Sequence, residues 1–347
     1  MMFRFIYFLG QKFRNPSLSR WLRFLKKSDR WSLGELEAYQ FKKLMELLRF
    51  AKEHSSFYGE LYKDIDIEGF VCLEDLKKLP MLSKKDLLEY GDQIHTSHSF
   101  SKTFKANTSG STGESLVFQR EEQADSFNRA AIFRGYSWFG VQPWELNGYF
   151  WGFNFSTSER VKTRLLDFVQ HRFRLFTYAD QDFKNFVNKL KKAKYLHGYS
   201  SMIYQTAKLI NEKGWQGRFQ LKMIKGTSEK ILDQYQEVVT KAFGQKIISE
   251  YGATESGIIA FECPEGNMHL NMEGVIVEEI DHEIVVTNLQ MKSFPIIRYR
   301  LGDYILLADK TETCSCGRNH LILKEVTGRI GENVYGFKQV YPSLYFY

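Results

Sequence analysis

Residues 222–255, KMIKGTSEKILDQYQEVVTKAFGQKIISEYGATE, contain a strand, a helix and a second strand in direct succession. Lys222–Lys225 and Lys246–Glu250 are short segments with apolar centres, which predicts two strands. Between them, residues 229–243 place Ile, Tyr, Val and Phe side chains at helical spacing, which predicts a helix. Strands that alternate with helices predict an α/β fold.

Capping residues mark the ends of several predicted helices. Ser228 is placed to cap the 229–243 helix, and Gly244 is placed to end it. Ser83, followed three residues later by Asp86, resembles a capping box. The same apolar periodicity predicts further helices over residues 35–58, 121–139, 183–194 and 200–213.

The sequence pattern changes after residue 270. Gly274–Ile280 and Glu283–Asn288 alternate apolar and polar residues on either side of Asp281-His282, which predicts a hairpin. Two more strands are predicted over residues 304–308 and 321–326. We therefore expect a small β-rich subdomain at about residues 262–327.

The composition is that of a folded protein with a large core. The chain has 347 residues, of which 43% are hydrophobic. No apolar run approaches the roughly 20 residues that span a bilayer, and the N-terminus lacks the cleavage site of a secretory signal. The four cysteines indicate reduced thiols or a metal site rather than a disulfide framework. We therefore expect a cytoplasmic protein.

The positive charge is concentrated at the N-terminus. Residues 1–30 contain eight basic residues and a single acid, Asp29, and so carry the whole net charge of +7. The neutral remainder argues against a nucleic-acid-binding protein. Apolar residues are interspersed, and we interpret residues 1–34 as a basic amphipathic extension. Two alternatives remain: residues 1–30 bind an anionic membrane surface, or they form a helix that packs on the domain with a solvated basic side.

Thr108-Ser109-Gly110-Ser111-Thr112-Gly113 is a loop of hydroxyl residues and glycines between two predicted strands. The glycines allow a tight turn with inward N–H groups, and the hydroxyls add donors, as in loops that hold phosphate oxygens. Glu114 follows, so the loop is not a Walker A loop. The alternative interpretation is a simple hairpin turn.

Carboxylates follow two other predicted turns. Glu255 ends the segment Tyr251-Gly252-Ala253-Thr254-Glu255, directly after a strand, where it could hold Mg²⁺ beside a phosphate to which Thr254 could donate. Asp303 ends Arg298-Tyr299-Arg300-Leu301-Gly302-Asp303, where it could accept hydrogen bonds from ribose hydroxyls. Arg329, after Gly328, could reach ribose or phosphate. Solvated turn residues are the alternative in each case.

Three cysteines and one histidine form a candidate zinc site. Cys263 and His269 flank a short turn, and Cys314 and Cys316 follow the predicted hairpin. Three thiolates and an imidazole suit tetrahedral Zn²⁺, which would have a structural role at both ends of the β-rich subdomain. The alternative is three unrelated cysteines and a surface histidine.

Taken together in their order and spacing, the motifs resemble those of the adenylate-forming (AMP-binding) superfamily. Within it they are similar to the phenylacetate–CoA ligase-like branch, which includes proteins of capsular polysaccharide biosynthesis loci. The resemblance spans residues 79–329. It implies a large adenylate-forming core of mixed β-sheets flanked by helices, which we place at residues 35–329.

The resemblance also implies roles for the motif residues. Those expected to hold the β- and γ-phosphates of ATP are Thr108, Ser109, Gly110, Ser111, Thr112 and Gly113. The segment on the adenine side is Gly226-Thr227-Ser228-Glu229, and the Tyr-Gly-x-Thr-Glu motif is Tyr251, Gly252, Ala253, Thr254 and Glu255. In that motif Glu255 would hold Mg²⁺ and Thr254 the α-phosphate, as the catalytic pair. Asp303 would bind ribose, and Arg329 would lie beside the family's hinge.

The function implied is ATP-dependent activation of a carboxylic acid to an acyl-adenylate. CoA, a sugar or an amine would then accept the acyl group, for acyl-CoA formation or capsular polysaccharide decoration. Six aromatic residues suit either an acid pocket or the core: Trp138, Phe139, Tyr149, Trp151, Tyr199 and Tyr204.

Two departures from the family pattern support an alternative function. Glu114-Ser115 follows the loop where the family commonly has a proline. Residues 330–347 read as a hinge remnant, so we expect the C-terminal lid domain to be absent. On this alternative the protein is a non-catalytic lidless relative that binds a nucleotide, an acyl group or a partner protein.

Overall fold

The computed structural model describes residues 2–108, 115–151, 157–329, 333–335 and 340–342. The chain forms two compact units. Unit 1 consists of Met1–Arg14, Phe133–Tyr251 and Glu262–Gly266. Unit 2 consists of Asn15–Ile132, Gly252–Phe261 and Asn267–Tyr347.

Helices and strands alternate over residues 147–253, after an N-terminal run of helices and before a C-terminal run of strands. The helices are α1 (Met2–Arg14), α2 (Leu18–Ser28), α3 (Leu33–His54), α4 (Ser56–Leu61), α5 (Lys84–Glu89), α6 (Gly91–Ile94), α7 (Glu122–Trp138), α8 (Thr157–Val169), α9 (Asp180–Leu190), α10 (Ser200–Glu212) and α11 (Asp233–Phe243), with a 3₁₀ helix at Leu73–Lys78. The strands are β1 (Thr103–Asn107), β2 (Val117–Glu121), β3 (Asn147–Phe150), β4 (Arg172–Arg174), β5 (Tyr195–Tyr199), β6 (Met223–Thr227), β7 (Ile248–Ala253), β8 (Gly257–Glu262), β9 (Met268–Leu270), β10 (Val275–Ile280), β11 (Glu283–Asn288), β12 (Tyr299–Leu307), β13 (Ile322–Arg329), β14 (Asn333–Tyr335) and β15 (Val340–Pro342).

Unit 1 is built on a parallel sheet with the strand order β4-β3-β5-β6-β7. Tyr149, His197 and Lys225 are register partners on adjacent strands, so their side chains share one face. Phe150, Leu196, Ile203, Ile224 and Val239 belong to a core cluster to which α9, α10 and α11 contribute. Parallel strands with helices against the sheet confirm the predicted α/β fold.

Unit 2 contains an antiparallel ladder with the order β10-β11-β12-β13-β9, and β8 lies beside β9. Asp281 and His282 join β10 and β11 with φ values of 53° and 64°. Two left-handed residues are typical of a type I′ turn, which matches the twist of a hairpin. The predicted hairpin is therefore confirmed. A second hairpin is formed by β1 and β2.

The helix predicted over residues 35–58 differs from the structure. The region 35–58 contains two helices, because the Ser55 side chain accepts a hydrogen bond from the Tyr58 backbone N–H and begins α4. The Ser83–Asp86 capping box is present as predicted.

The predicted cap of the 229–243 helix is wrong. Ser228 has φ of +65°, a left-handed conformation rather than the extended one of an N-cap. The helix begins at Asp233, after Leu232, which makes no side-chain capping bond. Gly244 ends it as predicted, with φ of +78° and its N–H donating to the Thr240 carbonyl.

The described helices include none long and apolar enough to cross a membrane. The predicted domain boundaries at residues 34 and 329 stay predictions.

Gly244→Ala and Gly34→Ala should change stability in opposite directions. Alanine at Gly244 must adopt a left-handed conformation, which costs about 1 kcal/mol of unfolding free energy. Gly34 lies in α3, and a Cβ atom added there would have no other atom within 4 Å, so alanine should stabilise by about 0.5 kcal/mol. Urea unfolding followed by circular dichroism measures both; destabilisation of similar size in both variants would contradict this account.

Candidate functional site

In the turn that follows β7, the backbone at Gly252 lies very close to the backbone at Gly257. A Cβ atom at Gly252 would lie 2.4 Å from the Gly257 carbonyl oxygen, so only glycine fits there. The Ala253 N–H donates to the Ser256 hydroxyl at 3.2 Å, and the Ile258 N–H donates to the Asn128 side chain at 2.8 Å. The turn is therefore held in one conformation by its own backbone and by α7.

This turn brings Glu255 beside a residue of another predicted motif. The Tyr299 hydroxyl donates to a Glu255 carboxylate oxygen at 3.4 Å. Asn288 donates to the Glu255 backbone carbonyl at 3.3 Å, and Glu255 is buried. Glu255 of the Tyr-Gly-x-Thr-Glu motif and Tyr299 of the segment that ends at Asp303 are 44 residues apart in sequence. The two motifs therefore meet in unit 2.

Arg120 is a residue of this region that the sequence interpretation missed. Its guanidinium donates to the Thr254 backbone carbonyl and lies 3.7 Å from the Asp125 carboxylate. Burial lowers the pKa of Arg120, while the charge of Asp125 acts in the opposite direction. A lone arginine in the short strand β2 carries no sequence signal for this contact. Arg120 holds the backbone just before Glu255.

Asp303 lies in a bulged strand, so the predicted turn is wrong. Between their paired positions, β12 advances from Arg300 to Tyr304 while β11 advances only from Val285 to Glu283. The extra residues form a β-bulge around Gly302, whose φ is +84°. Pairing with both neighbouring strands keeps the segment extended on either side of the bulge. Asp303 is half-buried at this irregularity.

Asp303 also pairs in register with Arg329 of β13. The backbone therefore brings together the predicted ribose-binding residue and the predicted hinge-side arginine. The Arg329 side chain lies outside the described residues, so its predicted ligand contact stays a prediction.

The predicted phosphate loop joins β1 and β2. Thr108 N–H donates to the Leu116 carbonyl at 2.9 Å, and the Thr108 hydroxyl accepts from the Leu116 N–H at 3.0 Å. These bonds fix the base of the hairpin. Ser109, Gly110, Ser111, Thr112 and Gly113 lie outside the described residues, so the phosphate contacts stay predictions.

The predicted adenine-side segment follows β6 and is tightly packed. A Cβ atom at Gly226 would lie 2.4 Å from the Ser200 hydroxyl. The Glu229 carboxylate accepts from the Ser201 N–H at 2.8 Å and from its hydroxyl at 3.0 Å. Glu229 thus caps the N-terminus of α10, a structural role that the sequence interpretation did not include.

A buried ionic network lies on the parallel sheet of unit 1. Lys225 and Glu250 form an ion pair at 2.7 Å with both side chains buried. Burial, and then the positive charges of Lys225 and Arg172, hold the pKa of His197 well below its usual range. His197 is therefore neutral, and its ring lies 3.2 Å from the Asn147 side-chain oxygen. Sequence inspection offered no partner for His197.

Aromatic rings lie at the ends of the strands in the same unit. Trp151 and Tyr199 stack with ring centroids 4.7 Å apart, and Trp151 is exposed. They follow β3 and end β5, at the carboxyl edge of the parallel sheet, where open α/β sheets bind ligands. Tyr204 instead stacks on Tyr235 between α10 and α11.

The structure brings the four predicted metal ligands together. The ligand atoms of Cys263, His269, Cys314 and Cys316 all lie within 4.8 Å of one another. Cys263 follows β8, His269 lies in β9, and both other cysteines lie in the loop between β12 and β13. A tetrahedral Zn²⁺ with Zn–S bonds of about 2.3 Å separates its ligand atoms by roughly 3.8 Å. The cluster therefore has suitable composition and nearly the size of such a site.

Neighbouring groups orient these ligands. His269 Nδ1 lies 3.2 Å from the His320 carbonyl oxygen, which can only accept, so Nδ1 carries the proton. His269 Nε2 then faces the Cys316 sulfur at 3.2 Å with its lone pair available. The Asn267 amide donates to the Cys314 sulfur at 3.2 Å. Donors to sulfur and a fixed imidazole tautomer are typical surroundings of a metal site.

Some of the proteins and solved structures that are similar to this chain are named as ligases or synthetases. CapK of Staphylococcus aureus is 24% identical over 321 aligned residues, which cover 86% of this chain and 68% of CapK. Indoleacetate–lysine synthetase of Pseudomonas savastanoi is 30% identical over 125 residues, 34% of this chain and 31% of that protein. No family model matches the chain.

A solved structure decides the fold. An open conformation of 2-hydroxyisobutyryl-CoA ligase, in complex with 2-HIB-AMP and CoA, superposes with a TM-score of 0.73 at 19% identity and covers 92% of this chain and 80% of that one. This chain has the fold of the adenylate-forming enzymes. The predicted fold class is therefore confirmed, and the fold is the one that the resemblance in the motifs predicted.

Removing the cation of the buried ion pair should lower the unfolding free energy far more than removing the cation of an exposed pair. Lys225→Met leaves Glu250 buried without its cation, which should lower the unfolding free energy by about 3–5 kcal/mol. Lys222→Met removes an exposed partner of Glu145 and should cost less than about 1 kcal/mol. Urea unfolding of both variants is the measurement, and equal losses would contradict the role assigned to burial.

Proposed function

We propose that the protein uses ATP to activate a carboxylic acid as an acyl-adenylate. The observation that carries this proposal is the contact between Tyr299 and Glu255, which joins two adenylation motifs on a chain with the adenylate-forming fold. The contact holds a buried carboxylate in the turn after β7, which supports its proposed role as the ligand of a nucleotide-associated cation.

The roles proposed for the site residues follow the motifs. Glu255 would hold Mg²⁺, since carboxylate oxygens suit this hard cation. Thr254 would contact the α-phosphate, Asp303 the ribose, and the loop Thr108–Gly113 the β- and γ-phosphates. When bound, Mg²⁺ neutralises charge on the triphosphate. Gly252, through the turn it permits, and Arg120, through the Thr254 carbonyl, position these groups.

The proposed reaction needs no protein nucleophile. A carboxylate oxygen of the acid attacks the α-phosphorus of ATP, the bond to the bridging oxygen breaks, and pyrophosphate leaves with the electron pair. The protein contributes positioning and charge neutralisation. The acyl-adenylate is then available to an acceptor.

The proposed acceptor is CoA, a sugar or an amine. The names of the similar proteins support two of these: the 2-hydroxyisobutyryl-CoA ligase was solved with CoA, and indoleacetate–lysine synthetase names an amine. Similarity to CapK supports a role in capsular polysaccharide decoration, with acyl-CoA formation as the other use of the adenylate. We place this reaction in the cytoplasm.

Magnesium-dependent ATP binding should weaken at least tenfold in Glu255→Gln and in Asp303→Asn. Each change removes a charged acceptor, whose hydrogen bonds contribute about 1.5–3 kcal/mol. Isothermal titration calorimetry measures the dissociation constants. The matched controls are Glu325→Gln and Asp309→Asn, which alter exposed acids of unit 2 and should bind as the parent does.

Pyrophosphate exchange separates the proposal from its alternative. Incorporation of labelled pyrophosphate into ATP with an added panel of carboxylic acids supports adenylation. ATP binding that both site variants weaken, with no exchange for any acid, would favour the non-catalytic nucleotide-binding relative. Unchanged ATP binding in both variants would refute the site itself.

We also propose that Cys263, His269, Cys314 and Cys316 hold a structural Zn²⁺. The mutual proximity of the four ligand atoms and the fixed His269 tautomer support this assignment. The ion would crosslink the β8–β9 turn to the loop before β13, a constraint on a segment with little regular structure.

The purified protein should contain one zinc ion per chain by elemental analysis. Cys314→Ser should abolish the zinc content and lower the melting temperature, and a strong chelator should lower it in the parent protein. Cys72→Ser alters an exposed cysteine that is distant in sequence from the cluster, and this variant should retain one zinc ion. A parent protein that is free of zinc after refolding with the metal would overturn the proposal.

A further inference from the structure

Helix α1 exposes an apolar stripe to solvent. None of its residues is buried, and Phe5, Leu9 and Phe13 are exposed, the two phenylalanines by 69% and 73%. These residues recur every four positions and therefore lie on one side of the helix. Such aromatic exposure is unusual for a surface that has only water as its partner.

The opposite side of α1 packs on other residues of unit 1, to which α1 itself belongs. Phe3 stacks on His171 with ring centroids 3.7 Å apart and makes an edge contact with Phe168 at 5.6 Å. Tyr7 contacts Trp144 at 5.5 Å. Because these contacts fix the rotation of α1, the exposure of Phe5 and Leu9 is a consequence of how the helix is docked.

Helix α8, which α1 contacts, exposes a second apolar stripe. Val161, Leu165, Phe168 and Val169 follow helical spacing and are all exposed. Asp167 faces the other way, where it is buried and paired with Arg172 and Arg174 at 2.6 and 2.7 Å. This acid is therefore turned inward, away from the exposed apolar residues of α8.

Positive charge accompanies both stripes. Arg4, Lys12 and Arg14 of α1 are exposed, and this helix contains no acid. Lys162 and Arg164 of α8 are exposed as well. We call these two stripes and their basic residues the α1–α8 surface.

Helix α2, by contrast, does not contribute to such a surface. Leu18 and Leu25 are buried, Trp21 packs edge-on against Phe127, and the Ser17 hydroxyl donates to Glu122 at 2.8 Å. The two alternatives predicted for residues 1–30 therefore apply to different helices. Helix α2 packs on its unit, whereas α1 has an exposed apolar face.

We propose that the α1–α8 surface binds an anionic lipid bilayer. Aromatic and aliphatic side chains bordered by arginine and lysine are the composition of helices that lie in a bilayer interface. The basic residues complement anionic headgroups. A second copy of this chain on the same surface would place arginine and lysine against arginine and lysine, so the charges disfavour a dimer there.

Vesicle co-sedimentation of the full chain tests this proposal. The protein should bind vesicles of phosphatidylcholine with phosphatidylglycerol and remain in the supernatant with phosphatidylcholine alone. Phe5→Ser combined with Leu165→Ser should lower the partition coefficient at least tenfold. Each of Lys12→Gln and Lys162→Gln should lower it about fivefold, and added salt should weaken binding.

Matched variants elsewhere on the surface control for general changes of charge and hydrophobicity. Val71→Ser and Lys85→Gln alter an exposed apolar residue and an exposed charge of unit 2, and Lys208→Gln removes an exposed charge of α10. Partitioning of these three variants should be unchanged. Melting temperature and ATP affinity, measured on every variant, separate lost membrane binding from unfolding and from the nucleotide site.

Two results would overturn the proposal. The first is no binding to anionic vesicles, or binding that the α1–α8 variants and the controls change equally. The second is a dimer by light scattering that Phe5→Ser with Leu165→Ser converts to a monomer without a change in vesicle binding; this result would assign the surface to a second copy of the chain.

Discussion

The close approach of Gly252 to the Gly257 carbonyl is the constraint on which the candidate nucleotide site depends. The carbonyl oxygen lies 2.4 Å from the position that a Cβ atom would take, so it excludes every side chain there. The chain can therefore reverse immediately after β7, and Glu255 becomes buried beside Tyr299 rather than solvated. Arg120 and Asn128 then hold the reversed segment through its backbone. The carboxylate that we propose as the Mg²⁺ ligand is thus positioned by the backbone geometry of its turn.

Each of the two units contains a buried ion pair. Lys225 with Glu250, and Arg298 with Glu278 at 2.9 Å, each neutralise an ion that would otherwise be costly to bury. Arg298 also donates to the Lys77 and Leu79 carbonyls, which connects the 3₁₀ helix region to β12.

The metal cluster and the α1–α8 surface involve segments that the hydrophobic cores do not fix. The loop between β12 and β13 carries two cysteines in a segment with little regular structure, where a metal ion would replace the missing core. Helix α1 packs on the rest of its unit through contacts that include aromatic stacking and a cation–π contact, and its other side is exposed.

The sequence by itself determined the α/β class, the β10–β11 hairpin, the capping box at Ser83 and the identity of the motifs, because periodicity and turn chemistry are local properties. It also selected the four clustered metal ligands, since their residue types are rare and chemically specific. It failed at Ser228, which has a left-handed backbone conformation instead of that of an N-cap. Only the tertiary structure decided that Glu229 caps α10, that Asp303 lies in a bulge, that Arg120 reaches Thr254, and that α1 is exposed while α2 is packed. Each of these depends on partners distant in sequence, and no local pattern records which distant residue will be the partner.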